Sequence, residues 1–197
     1  MISKLIRRTH MYLALFLAPW VLIYTLSTMA MNHRDWFRRF YAGPIVHYEK
    51  ERDLPWAGAF APDATPQSMA AEILSALSLE GAHGARRGPG GATIVQRLDP
   101  ITPRRITYRP ADNRVVIERE VFRTPAFLER MHRRRGYQHN YALEDSWAFT
   151  VDLFIAAMVF WALSGLWMWW EMRATWRLGI LFLLGGAALF TGFALTI

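Results

Sequence analysis

The sequence predicts an α-helical membrane protein with three transmembrane helices and a small α+β extramembrane domain between the first and second. Three observations lead there. Long, nearly uncharged runs occupy both ends of the chain. Arginine, glycine and proline gather in the middle. Within that middle, short stretches of alternating polarity read as strands.

Tyr12 to Met31 is 20 residues without a charge, Trp147 to Trp170 is 24 residues with only Asp152 charged, and Leu178 to Ile197 is 20 residues with none. Roughly 20 apolar residues suffice for a helix to cross the hydrocarbon core. A buried soluble helix is seldom apolar on every face for so long. Pro19 falls inside the first run, where a lipid-embedded helix tolerates it as a kink. The run follows Lys4, Arg7 and Arg8, as a secretory signal would, but exceeds the roughly 7–15-residue core of one. It reads as an uncleaved anchor. Trp20, Trp36, Trp147, Trp170 and Trp176 lie mostly near span ends, as an aromatic belt requires.

The basic residues ahead of the first span, with Arg173 and Arg177 in the short second loop, place those ends in the cytoplasm. The arginines of the long middle segment carry little topological weight. The expected arrangement is amino terminus inside, middle domain and carboxyl terminus outside. The organisation is then residues 1–36 as an anchor helix, 37–146 as the extramembrane domain and 147–197 as a helical hairpin.

In the middle, Thr65 and Pro66 form a helix start, a capping hydroxyl followed by a ring already at the helical φ. Met69, Ala70, Ile73, Leu74 and Leu77 follow at helical spacing, with Gly81 as the stop. "GARRGPGG", 84–91, reads as a loop. "ATIVQRL", "RRITYR" and "RVVIEREV" read as three strands, with "PADN" a hairpin turn between the last two. Thr124 and Pro125 repeat the helix-start signal before "AFLERMHRR". Residues 37–64 show little periodicity. One helix and three strands make a thin core, marginal alone.

The net charge of +7 points to membrane rather than nucleic acid, because the basic residues flank apolar segments and lack interleaved aromatics. The chain has no Cys, which removes disulfides and thiolate metal sites. It contains no nucleophile elbow, zincin, phosphate-loop or dinucleotide motif. Glu118 and Glu120 share one strand face, as on a solvated sheet.

"RRTHMYLALFLAPWVLIYTLSTMAMNHRDW" resembles the first helix of the PepSY-associated transmembrane helix family, with a His just inside the helix start and an "NHR" exit. "FLERMHRRRG" followed by "DSWAFTVDLFIAAMVFWALSGLWMW" is similar to that family's second helix, and the strands between are similar to a PepSY domain. The resemblance implies a bacterial inner-membrane protein with a periplasmic PepSY-like domain. Some relatives of this type are haem-bearing reductases of iron–siderophores, and others have no assigned activity. The haem-bearing ones carry further histidines on later helices. This chain has none between Trp147 and Ile197, so only His10 and His33 match as haem ligands.

These two lie 23 positions apart, roughly 34 Å along one helix, and cannot share an iron. Each haem b would need a second axial ligand: His139 or His47 on the outer side, Met168, Met172 or another copy of the chain on the inner. The other reading of both histidines is interfacial. Asn32, His33 and Arg34 leave the first span at the face where Asp152 enters the second, and a carboxylate in lipid usually finds a partner. Asp152 is therefore expected to pair with His33 or Arg34, and Glu171 with His10 in the same manner. Gly185, Ala188 and Gly192 in span three, and Ala157, Ser164 and Gly165 in span two, are small enough for close packing, either as a hairpin or as a face for another subunit. Arg130, Arg133, Arg134 and Arg135 form a basic patch for lipid headgroups or an acidic partner, or a solvated helix end.

The function these features imply is a non-catalytic accessory or assembly subunit of a larger membrane complex, held in the bilayer with other subunits or by self-association and needing no cofactor. The alternative is a haem-binding transmembrane electron-transfer protein of the siderophore-reductase type.

Overall fold

The computed structural model describes residues 2–197 except Ala59, Pro62, Arg135 and Asn140. In chain order the elements are α1 (Ile2–Asn32), α2 (Arg34–Phe40), β1 (Tyr48–Pro55), α3 (Pro66–Ala76), β2 (His83–Arg87), β3 (Thr93–Arg97), β4 (Arg104–Arg109), β5 (Arg114–Glu120), α4 (Thr124–Arg133), α5 (Ala142–Glu171) and α6 (Trp176–Thr196). Three helical segments, Ile2–Asn32, Ala142–Glu171 and Arg173–Thr196, are long and apolar enough to cross a membrane. Each contains most or all of one expected span and runs beyond it on at least one side. α5 starts five residues before Trp147, with Glu144 and Asp145 in its first turn, where carboxylates oppose the helix dipole.

The chain divides into two compact units: Met1–Val21 with Val151–Ile197, and Leu22–Thr150. The divisions fall inside α1 and α5. Ser27 of α1 and Glu144 of α5 are buried in the second unit.

Within the second unit lies a five-stranded sheet in the order β1-β5-β4-β3-β2, every neighbouring pair antiparallel. Alternation decides the core face. Thr93 and Val95, Ile106 and Tyr108, and Val115 and Ile117 are buried in successive strands. α3 lays Met69, Ala70, Ile73 and Leu74 on them. Thr65 caps that helix by accepting the Ser68 N–H at 3.1 Å, and Pro66 supplies the first-turn φ. Thr65→Ala is expected to cost about 1 kcal/mol, measured as a lower urea midpoint with an unchanged slope.

Four expectations are corrected here. α3 ends at Ala76, before Gly81, because Ser78 takes a left-handed φ of 52°. Residues 84–87, read as part of a loop, belong to strand β2. The loop proper is narrower, and Gly90 and Gly91 have φ of 64° and 74°, which side chains resist. The stretch 37–64 also contains structure: most of α2, and β1, which pairs with β5 from Tyr48↔Glu120 to Pro55↔Arg114. A register shift between Lys50 and Arg52 marks a bulge at Glu51. α4 begins one residue earlier than its Thr-Pro signal suggests. Arg123 is the N-cap, without a side-chain bond, so Thr124 is helical rather than capping.

The turn between β4 and β5 closes on Asn113, at φ 48°. Its side chain accepts the Tyr108 hydroxyl at 3.0 Å and donates to the Trp56 carbonyl at 2.7 Å, tying the turn to the end of β1. Ion pairs hold the same edge. Arg114 Nε donates to Asp53 at 2.7 Å and Lys50 Nζ at 2.8 Å. Hydrogen bonds from Lys50 and Arg114 hold the Asp53 carboxyl down at about 2. A carboxyl depressed in the folded state stabilises above its unfolded value, and that contribution is lost as pH falls through the folded one. β1 amides are therefore expected to exchange faster between pH 4 and pH 2, before those of β4. Asp53→Asn should abolish this step in amide exchange followed by mass spectrometry.

Candidate functional site

The polar groups of the second unit converge on α4, which the sequence presents as "TPAFLERMHR". Its arginines are committed within the chain. Arg130 donates to both oxygens of Glu120, at 2.8 and 3.1 Å, and its Nε donates to the Pro100 carbonyl at 3.2 Å. Glu120 is 3% exposed. Arg134 donates to the Leu98 carbonyl at 3.2 Å and pairs with Glu144 at 3.6 Å. Glu144, in the first turn of α5, is 2% exposed, and its other oxygen lies 2.8 Å from His139 Nδ1. Glu129 accepts Arg34 at 3.4 Å and Arg133 at 3.2 Å. Two buried carboxylates, one on the sheet and one on α5, are thus neutralised by one short helix and its exit.

α4 also reaches α1. His132 Nδ1 lies 2.7 Å from Ser27 Oγ, and the Tyr24 ring meets the imidazole edge-on at 5.0 Å. Ser27 also donates its hydroxyl proton to the Tyr24 carbonyl at 2.7 Å. Ser27 is fully buried, and a nucleophile must reach substrate. The pair is a fastener, not a catalytic dyad.

The basic patch therefore differs from its expected form. Arg130 and Arg134 are sequestered, Arg133 keeps an exposed side chain beside Glu129, and Arg135 lies outside the described residues. The Glu118–Glu120 face is likewise corrected. Glu118 takes both Arg105 nitrogens, at 2.7 and 2.8 Å, and that bond holds its carboxyl below the usual range against partial burial. Glu120 is buried beneath α4. Burial, then the Glu120 charge, pushes the Tyr48 hydroxyl up. Beside Glu144 lies a cleft of about 220 Å³ lined by Leu98, Arg130, Arg133, Arg134, Gln138 and His139. A wider, mostly apolar hollow of about 380 Å³ runs between Pro100, Met131, Leu143 and Trp147.

At the end of the expected spans, Asn32 and His33 are exposed. His33 gives its carbonyl to the Trp36 and Phe37 N–H groups. Arg34 takes Glu129 as a partner. Asp152 is exposed on α5.

The helical unit holds a second polar station. His10 Nδ1 sits 2.8 Å from Ser164 Oγ, its ring stacks on Trp161 at 5.2 Å and 15°, and a Cβ at Gly165 would lie 3.5 Å from its Cε1. Ser164 and Gly165 accordingly serve the contact between α1 and α5. Ala157 is buried as well. The expected His10–Glu171 pair is replaced: Glu171 accepts Ser3 at 2.7 Å, Arg7 at 3.1 Å and the Trp167 indole at 3.2 Å. Gly185 and Gly192 of α6 have no neighbouring atom within 4 Å of where a Cβ would stand, and Ala188 is exposed. The close α5–α6 packing expected of these small residues is not made by them.

Ser27, Glu120, Glu129, His132 and Glu144 are the residues sequence reasoning missed. Their signal is a charge or hydroxyl placed where an apolar residue belongs: Ser27 inside an apolar run, and Glu120 at the end of a strand whose next turn starts a helix. Among the described residues, no group of three or more His, Asp or Glu side chains is placed to hold a metal ion.

No family model matches the chain, and no curated protein or solved structure is significantly similar to it.

Proposed function

We propose that this chain is an integral inner-membrane protein that presents a PepSY-like periplasmic domain and serves as a non-catalytic accessory or assembly subunit of a larger membrane complex. One observation carries the reading. The Arg130–Glu120 and Arg134–Glu144 pairs clasp the sheet to the first turn of α5, while His132 holds the last turns of α1. Ionisable groups that could serve chemistry are spent on rigidity, so the domain is displayed as a fixed body. Rigid display suits recognition, because little ordering entropy is lost on binding. Co-purification from native membranes in mild detergent tests it. A stable assembly larger than the chain or its dimer is expected. A lone chain carrying stoichiometric haem overturns it.

The haem-binding alternative rests on His10. Its Nδ1 bond to Ser164 and its stacking on Trp161 fix the ring, as partners of ligating histidines do, and leave Nε2 as the nitrogen that would meet an iron. When bound, the group would supply one-electron transfer. Ser164 would hold the ring orientation, and Trp161 would cover one face of the imidazole. An absorption spectrum of the purified protein decides: a Soret band that falls in His10→Ala supports this alternative, and a featureless visible region removes it.

A further inference from the structure

Arg130 and Arg134 are occupied within the chain, and another basic and aromatic surface stands open one turn beyond α1. At His33 the backbone departs from helical values, with φ −110° and ψ 33°. α2 starts there as a separate element. Arg34, Phe37 and Tyr41 lie at helical spacing and are half-buried. Arg34 binds Glu129 of α4, and the Arg123 guanidinium covers the Tyr41 ring at 4.7 Å. These contacts fix which side of α2 faces the domain.

The opposite side carries Trp36 and Phe40, 54% and 69% exposed. Their rings stack at 5.7 Å and 15°, so the pair is set in place rather than free to fold away. Arg39 lies beside it round the helix, and Arg38, two positions from each ring, lies farther round; both are exposed. Arg38 meets Asp35 at 3.2 Å, where both side chains remain mostly in solvent. Two large aromatic rings and an adjacent guanidinium group on the open side of a helix fit one environment well. Aromatic rings favour the headgroup region, and anionic headgroups attract cations beside it.

We infer that α2 is an in-plane membrane anchor: Trp36 and Phe40 enter the boundary between acyl chains and headgroups, and Arg39 binds anionic phospholipid phosphates. Continuity places it there. Only His33 separates α2 from α1, and α1 is one of the helices able to cross the bilayer, so the surface cannot leave the vicinity of the lipid. Charge complements the partner, and the exposed ring pair supplies the apolar part. Residues 36–40 thus offer a basic surface separate from the one expected at 130–135. The inference rests on α1 crossing the membrane, not on the accessory role.

The absence of native Cys makes site-specific labelling direct. Trp36→Cys, Phe40→Cys, Asp35→Cys and Leu26→Cys are prepared singly in the full chain and spin-labelled. Each is reconstituted in vesicles of phosphatidylcholine, alone and with a third phosphatidylglycerol. Accessibility to oxygen and to a water-soluble nickel chelate gives label depth. Labels at 36 and 40 are expected at interfacial depth, the label at 35 in water and the label at 26 in the hydrocarbon. Phosphatidylglycerol should deepen 36 and 40. Removing Arg39, as Arg39→Gln, should lower the docked-to-undocked ratio about fivefold, and Arg38→Gln should lower it less. Labels at 36 and 40 as wet as that at 35 overturn the inference. So does shielding seen in native membranes but not in vesicles, which would mean a protein covers the patch. An unaltered depth with phosphatidylglycerol overturns the arginine–phosphate contact. A wet label at 26 would instead show that α1 does not span.

Discussion

Arg130→Met is expected to destabilise the unit Leu22–Thr150 by about 3–5 kcal/mol, the range for removing one partner of a buried ion pair. The cause is what remains. Glu120 is 3% exposed and receives both of its short arginine contacts from this one side chain, at 2.8 and 3.1 Å. Met fills much of the stem volume but donates nothing, so the carboxylate is left charged in a poorly hydrated place or must take a proton. The test is urea unfolding of detergent-solubilised protein followed by amide exchange in β5 and α4. Arg130→Met with Glu120→Leu removes both charges and should recover most of the loss. Recovery separates an orphaned charge from simple loss of packing. If the single variant unfolds with wild-type stability, the clasp is not what joins α4 to the sheet.

Ile106→Ala is expected to cost about 2–5 kcal/mol. β4 is the middle strand of the sheet. Ile106 stands in register with Val95 on one side and Ile117 on the other, and all three are at most 1% exposed. Truncation opens a cavity in the layer beneath α3, where rigid β-branched neighbours cannot collapse into it. Ile101→Ala, at a residue 58% exposed, should stay within about 0.5 kcal/mol. The pair of variants, compared by midpoint in the same denaturant, checks whether burial rather than residue type sets the effect.

Central elements were readable before any coordinates, and peripheral ones were not. β4, "RRITYR", appears with its ends in place because an inner strand with one buried face must alternate. β1, "YEKERDLP", does not, since an edge strand is protected by charge and its bulge shifts the side-chain alternation. β2, "HGARR", lies at the opposite edge and hides for a similar reason. α3 announced its start through a local pair, Thr65 and Pro66, but its end depended on the conformation of Ser78, which residue type does not dictate. The three long helices were legible from composition alone, although composition did not give the polar first turn of α5, with Glu144 and Asp145.

The candidate site was legible only as a list of side chains. Arg130 and Arg134 looked like an open basic surface because their counterions stand ten residues away on each side, at Glu120 and Glu144. Helical spacing joins residues three or four apart, so pairing at ten is invisible to it. His10 was recognised, but its partner Ser164 is 154 positions off. Glu129, the Arg34 partner 95 positions away, was not anticipated for the same reason. Long-range electrostatic partners are decided by packing, which periodicity does not encode.

β1 is the first strand made and the last in line. Its neighbour is β5, with Tyr48 opposite Glu120, so some seventy residues of chain must emerge before the earliest strand can find its seat. Pairings of such wide separation are slow to close. During biosynthesis the first membrane segment would thus be followed by a dangling charged ribbon until the meander β2 to β5 has assembled. The charges that hid this strand from pattern reading would keep that waiting ribbon soluble.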